Sequence, residues 1–256
     1  MKKLNMKVLV ISIFVLIIVS GLFLVDTFNS LTIKTDKVKV ITNTIQEEKP
    51  SYTYLKSITV YIEGESSEEK IDSKGEKQIE IKNWIGTGTI IKIEDNTTYI
   101  LTNAHVAGRY RNNVALFIED KLQLIEAEVV AYNEKDSIDL AIIKVDRKLK
   151  NKREIKGIGT VLPSDPIYLV GHHLGRKYIY GEGVFAGHQG IYNILQIPTA
   201  FGNSGTGVCN SKGELVSVVF AINRIGFFSY DVAHGLAIDS ISIKIFLQSL
   251  GLYEQI

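Results

Sequence analysis

An uninterrupted apolar run near the N-terminus precedes shorter stretches in which apolar and polar residues alternate. Residues 8–25 carry no charge, and a helix of that length would span roughly 27 Å, close to the hydrocarbon thickness of about 30 Å. Three lysines precede this run and Asp26 follows it. Residues 1–25 are therefore predicted to form a transmembrane helix, a signal anchor that keeps the N-terminus in the cytoplasm and sends the rest of the chain across.

Cleavage of the same segment as a signal peptide is the alternative. The apolar part of a signal peptide usually has about 7–15 residues and ends at a small-x-small site. Here the run is longer, and Ser20 and Gly21 are followed by further apolar residues. We therefore expect a single-pass protein of the cell membrane, held there through residues 8–25. Cleavage would instead give a secreted, soluble protein.

Beyond the anchor, residues 26–52 are polar and mixed and are predicted to form a tether. Residues 57–63 alternate apolar and polar positions, which predicts a strand. Residues 64–80 are strongly charged and are predicted to form a solvated loop. From Trp84 onward, short runs such as WIGTGTIIKI, TYILTNAHV and LAIIKV are separated by polar or glycine-containing turns. That spacing is typical of an all-β barrel or sandwich.

The basic stretch 147–156 (RKLKNKREIK) divides two β-rich blocks, one over about 55–146 and one over about 157–238. It is interpreted as a solvated linker, with an anionic contact as the alternative. A short helix is predicted over about 239–251, with Asp239 or Ser240 as its N-cap. Residues 53–256 are accordingly predicted to form one folded domain after the anchor and the tether.

Composition narrows the classes of function. The chain has 256 residues, 45% of them hydrophobic and 22% charged, which are globular values. The formal net charge of +1 gives no reason to expect nucleic acid as a partner. The single cysteine, Cys209, excludes an internal disulfide framework. The spacing of His172, His173, His188 and His234 matches no helical ligand motif, so we expect neither a metal nor a cofactor.

Three short segments carry candidate chemistry. His105 follows an apolar strand in TNAHV, Asp139 leads directly into the strand LAIIKV, and Ser204 stands between glycines in GNSG. A carboxylate at the start of a buried strand is costly unless something pairs with it. Asp136 is a second carboxylate nearby, but the strand motif starts at Asp139.

Together these residues supply what acyl transfer requires. Serine is a weak nucleophile near pH 7, so a base must take its proton during the attack. His105 can accept that proton and later deliver it to a leaving amine, and Asp139 would hold the imidazole in the required tautomer. The main-chain N–H groups of Gly202 and Ser204 can stabilise the oxyanion that develops.

TNAHV, DLAIIKV and GNSG, in this order and with about 34 and 65 residues between the three side chains, resemble the trypsin-like serine peptidases of the chymotrypsin fold. The bacterial HtrA/Deg-type branch is the most similar, and the resemblance covers roughly residues 55–250. It implies an all-β domain of two antiparallel six-stranded β-barrels with a short C-terminal helix. The active site would lie between the barrels, with His105 and Asp139 from the first and Ser204 from the second.

The resemblance also implies an activity and partners. It predicts a serine endopeptidase of protein or peptide substrates, with Gly202 and Ser204 as the family's oxyanion donors. Asn203 stands where digestive proteases carry an aspartate that pairs with a freed N-terminus, so activation by that ion pair is not expected. No PDZ domain is expected after the terminal helix. HtrA-type relatives often form trimers, which leaves a homo-oligomer open.

In this family, the strand after the serine pairs with the extended substrate. Alignment predicts that Val218, Val219, Phe220, Ala221 and Ile222 form this strand and that Phe220 and Ile222 belong to the pocket wall. The position of a pocket-floor acid falls near Pro198, where the sequence has no carboxylate. A small or medium apolar residue is therefore predicted before the scissile bond. A catalytically silent scaffold that binds peptides or partner proteins is the rival hypothesis.

Overall fold

The computed structural model describes residues 49–73, 75–121, 123–133, 138–224 and 233–253. The chain divides into the units Met1–Ile45 and Gln46–Ile256, and all of these residues belong to the second. The predicted anchor and nearly all of the predicted tether lie outside the described residues. Within the described part, no helix is long and apolar enough to cross a bilayer.

The first half of the described chain closes into an antiparallel barrel. Its strands are hydrogen-bonded in the order β1-β2-β3-β6-β5-β4, and β4 returns to pair with β1. The strands are β1 (Thr59–Ile71), β2 (Lys77–Glu94), β3 (Thr97–Thr102), β4 (Val114–Asp120), β5 (Gln123–Tyr132) and β6 (Ala141–Val145).

The second half forms another closed antiparallel barrel. Its strands are hydrogen-bonded in the order β10-β11-β12-β9-β8-β7, and β7 pairs with β10. A short 3-10 turn, His173–Gly175, follows its first strand. The strands are β7 (Pro166–Gly171), β8 (Ile179–Gln189), β9 (Tyr192–Gln196), β10 (Gly207–Cys209), β11 (Leu215–Arg224) and β12 (Ala233–Asp239). The predicted all-β fold of two six-stranded barrels is therefore confirmed.

Alternation along the strands fills each barrel. Every second residue of a strand faces inward, so branched apolar residues from all six strands meet on the barrel axis. Barrel one buries a cluster that includes Val60, Ile62, Ile90, Ile100, Ile118 and Ile143. Barrel two buries one that includes Ile167, Leu169, Phe185, Leu195, Val208 and Val216.

A third apolar cluster joins the two barrels and includes residues of both α-helices in the described part of the chain. Helix α1 (Tyr52–Ile58) contributes Leu55 and Ile58, and helix α2 (Ser240–Ser249) contributes Phe246 and Leu247. Asp239 caps α2, because its carboxylate accepts the N–H of Ser242 at 2.6 Å. Side chains of β3, β6, β7 and β11 complete this cluster and fix the barrels against each other.

The loop predicted over residues 64–80 is wrong. Strands β1 and β2 continue through it as a paired ribbon, from Gly64↔Trp84 out to Ile71↔Lys77. Both faces of its outer half are solvated, and the only alternation there is the short one of Ile79 and Ile81, which are both exposed. Glutamate and lysine side chains pair across the ribbon instead, as in Lys82–Glu68 at 2.9 Å.

The strand predicted to begin at residue 57 begins at Thr59. Ser57 and Ile58 belong to the last turn of α1. Ser51 caps the start of this helix, because its side chain accepts the N–H of Tyr54. The seven-residue helix is too short for its apolar period to be distinguished from a strand pattern. It is held by tertiary packing, since Leu55 and Ile58 are almost fully buried.

Candidate active site

Strand pairing brings His105 and Asp139 together. Strand β3 ends at Thr102, which pairs with Ala141 at the start of β6. The turn after β3 and the segment before β6 therefore leave the barrel side by side. The side-chain amide of Asn103 donates to the main-chain carbonyl of Asp139 at 2.8 Å and ties the two segments.

Asp139 binds His105 through both of its carboxylate oxygens. Oδ1 accepts the main-chain N–H of His105 at 2.9 Å, and Oδ2 contacts the ring Nδ1 in a short hydrogen bond. The carboxylate therefore holds the proton on Nδ1, which leaves the Nε2 lone pair free to accept another. The His105 side chain is 42% exposed, so that nitrogen is open to a ligand.

Ser204 lies in a loop that glycine alone can form. Gly202 and Gly205 have φ values of +93° and +87°, in the region that side chains disfavour. A Cβ at Gly202 would lie 2.2 Å from the carbonyl oxygen of His172, and one at Gly205 would lie 1.9 Å from that of Thr87. Both glycines are thus required by conformation and by close packing.

Hydrogen bonds from barrel one fix the position of this loop. Thr87, on β2, donates its main-chain N–H to the carbonyl of Ser204 at 2.8 Å. Its hydroxyl donates to the carbonyl of Gly202 at 2.7 Å. From barrel two, the N–H of Gly205 donates to Val219 at 2.8 Å. The loop is therefore fixed from both barrels at once.

The peptide before Gly202 is oriented by a contact that the sequence did not indicate. The N–H of Leu174 donates to the carbonyl of Phe201 at 2.7 Å, and Leu174 adopts a φ of +54°. In a trans peptide the C=O and N–H groups point in opposite directions. The N–H of Gly202 is therefore turned away from Leu174, which leaves it available as an oxyanion donor.

A cavity of about 910 Å³ contains the candidate groups. His105, Gly202 and Ser204 all line it, so the structure brings the predicted nucleophile, base and oxyanion glycine to one space. Its other walls come from both barrels and include Trp84, Ile85, Arg111, Phe201, Val219, Phe220 and Ala221.

The structure separates the predicted substrate-binding residues into groups. Val219, Phe220 and Ala221 line the cavity, whereas Val218 is buried in the cluster between the barrels. Val218 pairs with Gly207 of β10 and with Ile238 of β12, so it lies inside the sheet, and a β-bulge after Val219 leaves Phe220 without a partner on β12. Ile222 lies on β11, but its side chain lies outside the described residues.

The predicted pocket-floor position does not line the cavity. Pro198 is exposed, and Ala200 and Phe201 form the wall that this segment contributes. The sequence analysis also missed Arg111, which stacks on the Trp84 ring at 4.2 Å. Arg111 is the one Lys, Arg, Asp or Glu side chain among the lining residues that the structure describes.

Neither His172 nor Cys209 offers a competing site. His172 packs edge-on against the rings of Tyr61 and Tyr178, and burial lowers its pKa to about 3. Cys209 is fully buried, and burial raises the pKa of its thiol to about 12. An inaccessible imidazole and a protonated thiol cannot act on a bound ligand. Asp136 lies outside the described residues.

Comparison with known proteins identifies a matching family model, curated relatives and solved structures. The model of the trypsin-like peptidase domain matches residues 86–218, just over half of the chain. Two curated relatives, called serine protease HtrA-like, come from Staphylococcus aureus strains USA300 and NCTC 8325 / PS 47 and are 29% identical over 188 residues. The match covers 65% of this chain and 23% of each relative, so the chain spans less than a quarter of their length.

Two solved structures share the fold. A substituted form of the HtrA-type protease AlgW, with a decapeptide, superposes with a TM-score of 0.60 at 18% identity. That match covers 81% of this chain and 68% of the other. AlgW with a decapeptide gives a TM-score of 0.58 at 16% identity, over 79% and 68% of the two chains.

Proposed function

The chain belongs to the trypsin-like peptidase family, and on that premise we propose that it is a serine endopeptidase anchored in the cell membrane. Ser204 is the nucleophile, His105 the general base and acid, and Asp139 the residue that orients His105. The observation that carries this proposal is the double hydrogen bond of Asp139 to His105 on the wall of the cavity that holds Ser204.

The geometry supports an acyl-enzyme mechanism. Ser204 Oγ attacks the scissile carbonyl carbon while its proton passes to His105 Nε2. The resulting oxyanion accepts the N–H groups of Gly202 and Ser204, and each such donor is worth about 2.7–4 kcal/mol in the transition state. His105 then gives the proton to the leaving amine as the C–N bond breaks, and water reverses the sequence to release the acid.

Peptides are the proposed substrate class. The walls of the cavity are largely apolar, and β11 presents Val219, Phe220 and Ala221 beside the nucleophile. AlgW, which shares this fold, was solved with a decapeptide, which supports a peptide as the ligand of this chain. The apolar lining favours a small or medium apolar residue before the scissile bond.

Hydrolysis of an unfolded protein by the full chain in detergent micelles tests the activity. We expect the wild type to fragment reduced β-casein, and we expect Ser204→Ala and His105→Ala to leave it intact. Ser211→Ala and His188→Ala are matched controls outside the cavity, and they should cleave at the wild-type rate. A folded wild type that leaves casein intact, or a Ser204→Ala variant that still cleaves it, would contradict the proposal and favour the silent scaffold.

The anchor rests on the uncharged run 8–25 and is tested separately. We expect the chain to remain in carbonate-washed membranes at its full mass of 28.5 kDa. A shorter chain in the medium would show that the segment is cleaved and that the protein is secreted. Light scattering of the extracted chain decides between a monomer and the homo-oligomer that the family resemblance leaves open.

A further inference from the structure

A second cavity adjoins the active-site cavity on barrel one. It has a volume of about 550 Å³ and shares Trp84 and Ile85 with the active-site cavity. We call it the β1–β4 groove. Besides these two shared residues, its walls include Glu63, Glu65, Phe117 and Leu124.

The register of the strands places Glu63 close to the reaction centre. On β1, Glu63 pairs directly with Ile85 of β2 on one side and with Phe117 of β4 on the other. Directly paired residues of an antiparallel sheet share a face, with Cβ atoms about 4.5–5.5 Å apart. Ile85 in turn reaches the oxyanion glycine, because its Cδ1 would lie 3.3 Å from a Cβ at Gly202.

The carboxylates of the groove are not neutralised by cations. Among the residues that the structure describes, neither Glu63 nor Glu65 forms an ion pair. Burial, together with the nearby Glu63 carboxylate, raises the pKa of Tyr61 to about 12. Lys177 stands over the Tyr61 ring but pairs with Glu119 at 3.0 Å. The groove therefore combines an apolar floor with two carboxylates that form no ion pair with the described residues, while Arg111 stacks on its wall residue Trp84.

The mechanism sets the direction in which a substrate crosses the site. The half of the substrate that becomes the acyl group lies along β11, beside Val219 and Ala221. The leaving amine receives its proton from His105, which belongs to barrel one. The leaving half therefore runs over barrel one, past Ile85, and into the β1–β4 groove.

We propose that the β1–β4 groove binds the leaving half of the substrate and that Glu63 and Glu65 select Lys or Arg within the first three residues after the scissile bond. The inference rests on the proposed endopeptidase function and adds a specificity to it. The long stem of a Lys or Arg side chain can lie on Phe117 and Leu124 while its charged head reaches the carboxylates. An acidic residue at the same place would be repelled.

Matched peptides cleaved by the full chain in detergent micelles test this inference. A casein digest first identifies one cleaved sequence, and synthetic peptides then differ from it only in the three residues after the scissile bond. One peptide carries Lys there, one Ala and one Glu. For the wild type at low salt we expect kcat/KM to be about tenfold higher for the Lys peptide than for the Glu peptide, as for two partly exposed charge pairs.

Substitution of the two glutamates tests whether the preference for the Lys peptide depends on the groove. In the double variant Glu63→Gln with Glu65→Gln, the preference for the Lys peptide over the Glu peptide should fall to about twofold or less. Glu94→Gln with Asp95→Asn is the matched control, because it also removes two charges from barrel one, at the turn between β2 and β3, and neither side chain lines the groove. It should keep the wild-type preference. Raising the salt concentration should weaken the preference in the wild type.

The outcomes distinguish this inference from the function on which it rests. A wild type that cleaves all three peptides equally, or a double variant that retains the preference, overturns the specificity and leaves the endopeptidase proposal intact. A folded wild type that cleaves neither casein nor any peptide overturns both.

Discussion

Thr87 and Ser204 belong to different barrels and are joined through their main chains, with the N–H of Thr87 donating to the carbonyl of Ser204 at 2.8 Å. The Thr87 hydroxyl adds a second bond across the same boundary, to the carbonyl of Gly202. The candidate nucleophile and the oxyanion glycine are thus positioned by the barrel that carries His105. Packing between the barrels therefore determines the geometry of the candidate catalytic groups.

Thr87→Val removes the hydroxyl and keeps the shape of the side chain. The Gly202 carbonyl then loses a buried partner, which we expect to cost about 1–3 kcal/mol of unfolding free energy. Because that carbonyl belongs to the oxyanion loop, kcat should also fall about tenfold or more, with little change in KM. Thr98→Val is the control, since Thr98 stands at the end of β3 away from the site and its hydroxyl donates to the main-chain carbonyl of Arg147, which follows β6. It should lose stability but keep its kcat, and equal losses of kcat in both variants would contradict the role of Thr87.

Gly202→Ala tests the need for glycine at the oxyanion position. The added Cβ would meet the carbonyl oxygen of His172 at 2.2 Å, at a φ of +93°, so the loop has to move. We expect kcat to fall about 10²–10³-fold, the scale of one lost oxyanion donor. Gly190→Ala is the matched control, because its φ is also positive, at +65°, and its Cβ would meet no atom within 4 Å. Gly190→Ala should therefore lower the Tm through backbone strain alone and leave kcat unchanged.

Asp139→Asn tests how the imidazole is held. The amide would donate to His105 Nδ1 and move the ring proton to Nε2, where it blocks the base. We expect kcat to fall about 10⁴-fold with little loss of Tm. Asp165→Asn is a suitable control, because that carboxylate also accepts a main-chain N–H, from Leu162 at 2.8 Å, outside the site. Wild-type turnover by Asp139→Asn would show that the carboxylate has no part in the reaction.

His172 gives a prediction for the pH dependence of stability. Burial lowers the pKa of His172 to about 3 from 6.5, so the unfolded chain binds more protons than the folded chain between these values. Stability contributed by neutral His172 is therefore complete above pH 6.5 and is lost as the pH falls towards 3, by roughly 4 kcal/mol in all. Urea unfolding across this range should show a shallower acid decline for His172→Gln than for the wild type. His188→Gln should decline as the wild type does, and identical slopes in all three would refute the prediction.

Much of the architecture could be predicted from the sequence. The alternation of apolar and polar residues along the strands and the spacing of the turns indicate the barrels. Asp239 marks the start of the terminal helix, and it is the N-cap of that helix in the structure. His105 and Asp139 stand at strand ends, where pairing of β3 with β6 brings them together. These features are local, or follow from the pairing of adjacent strands, and so they leave a pattern in the chain.

Other features depend on contacts that no local pattern records. The hydroxyl of Thr87 and the N–H of Leu174 reach the serine loop across large separations in sequence. The burial of Val218 follows from its pairing with both β10 and β12, which depends on the strand order of the second barrel and not on local hydropathy. The outer ribbon of β1 and β2 is stabilised by cross-strand charges on a solvated surface, so hydropathy alone predicts a loop.

The most direct test of the account is the reaction of the full chain with a fluorophosphonate probe, followed by peptide mapping of the adduct. The account predicts one phosphonyl group per chain, attached to Ser204, and no adduct in His105→Ala. It also predicts normal labelling of His188→Ala. An adduct on another residue, or labelling of Ser204 that persists without His105, would contradict a serine activated by this histidine.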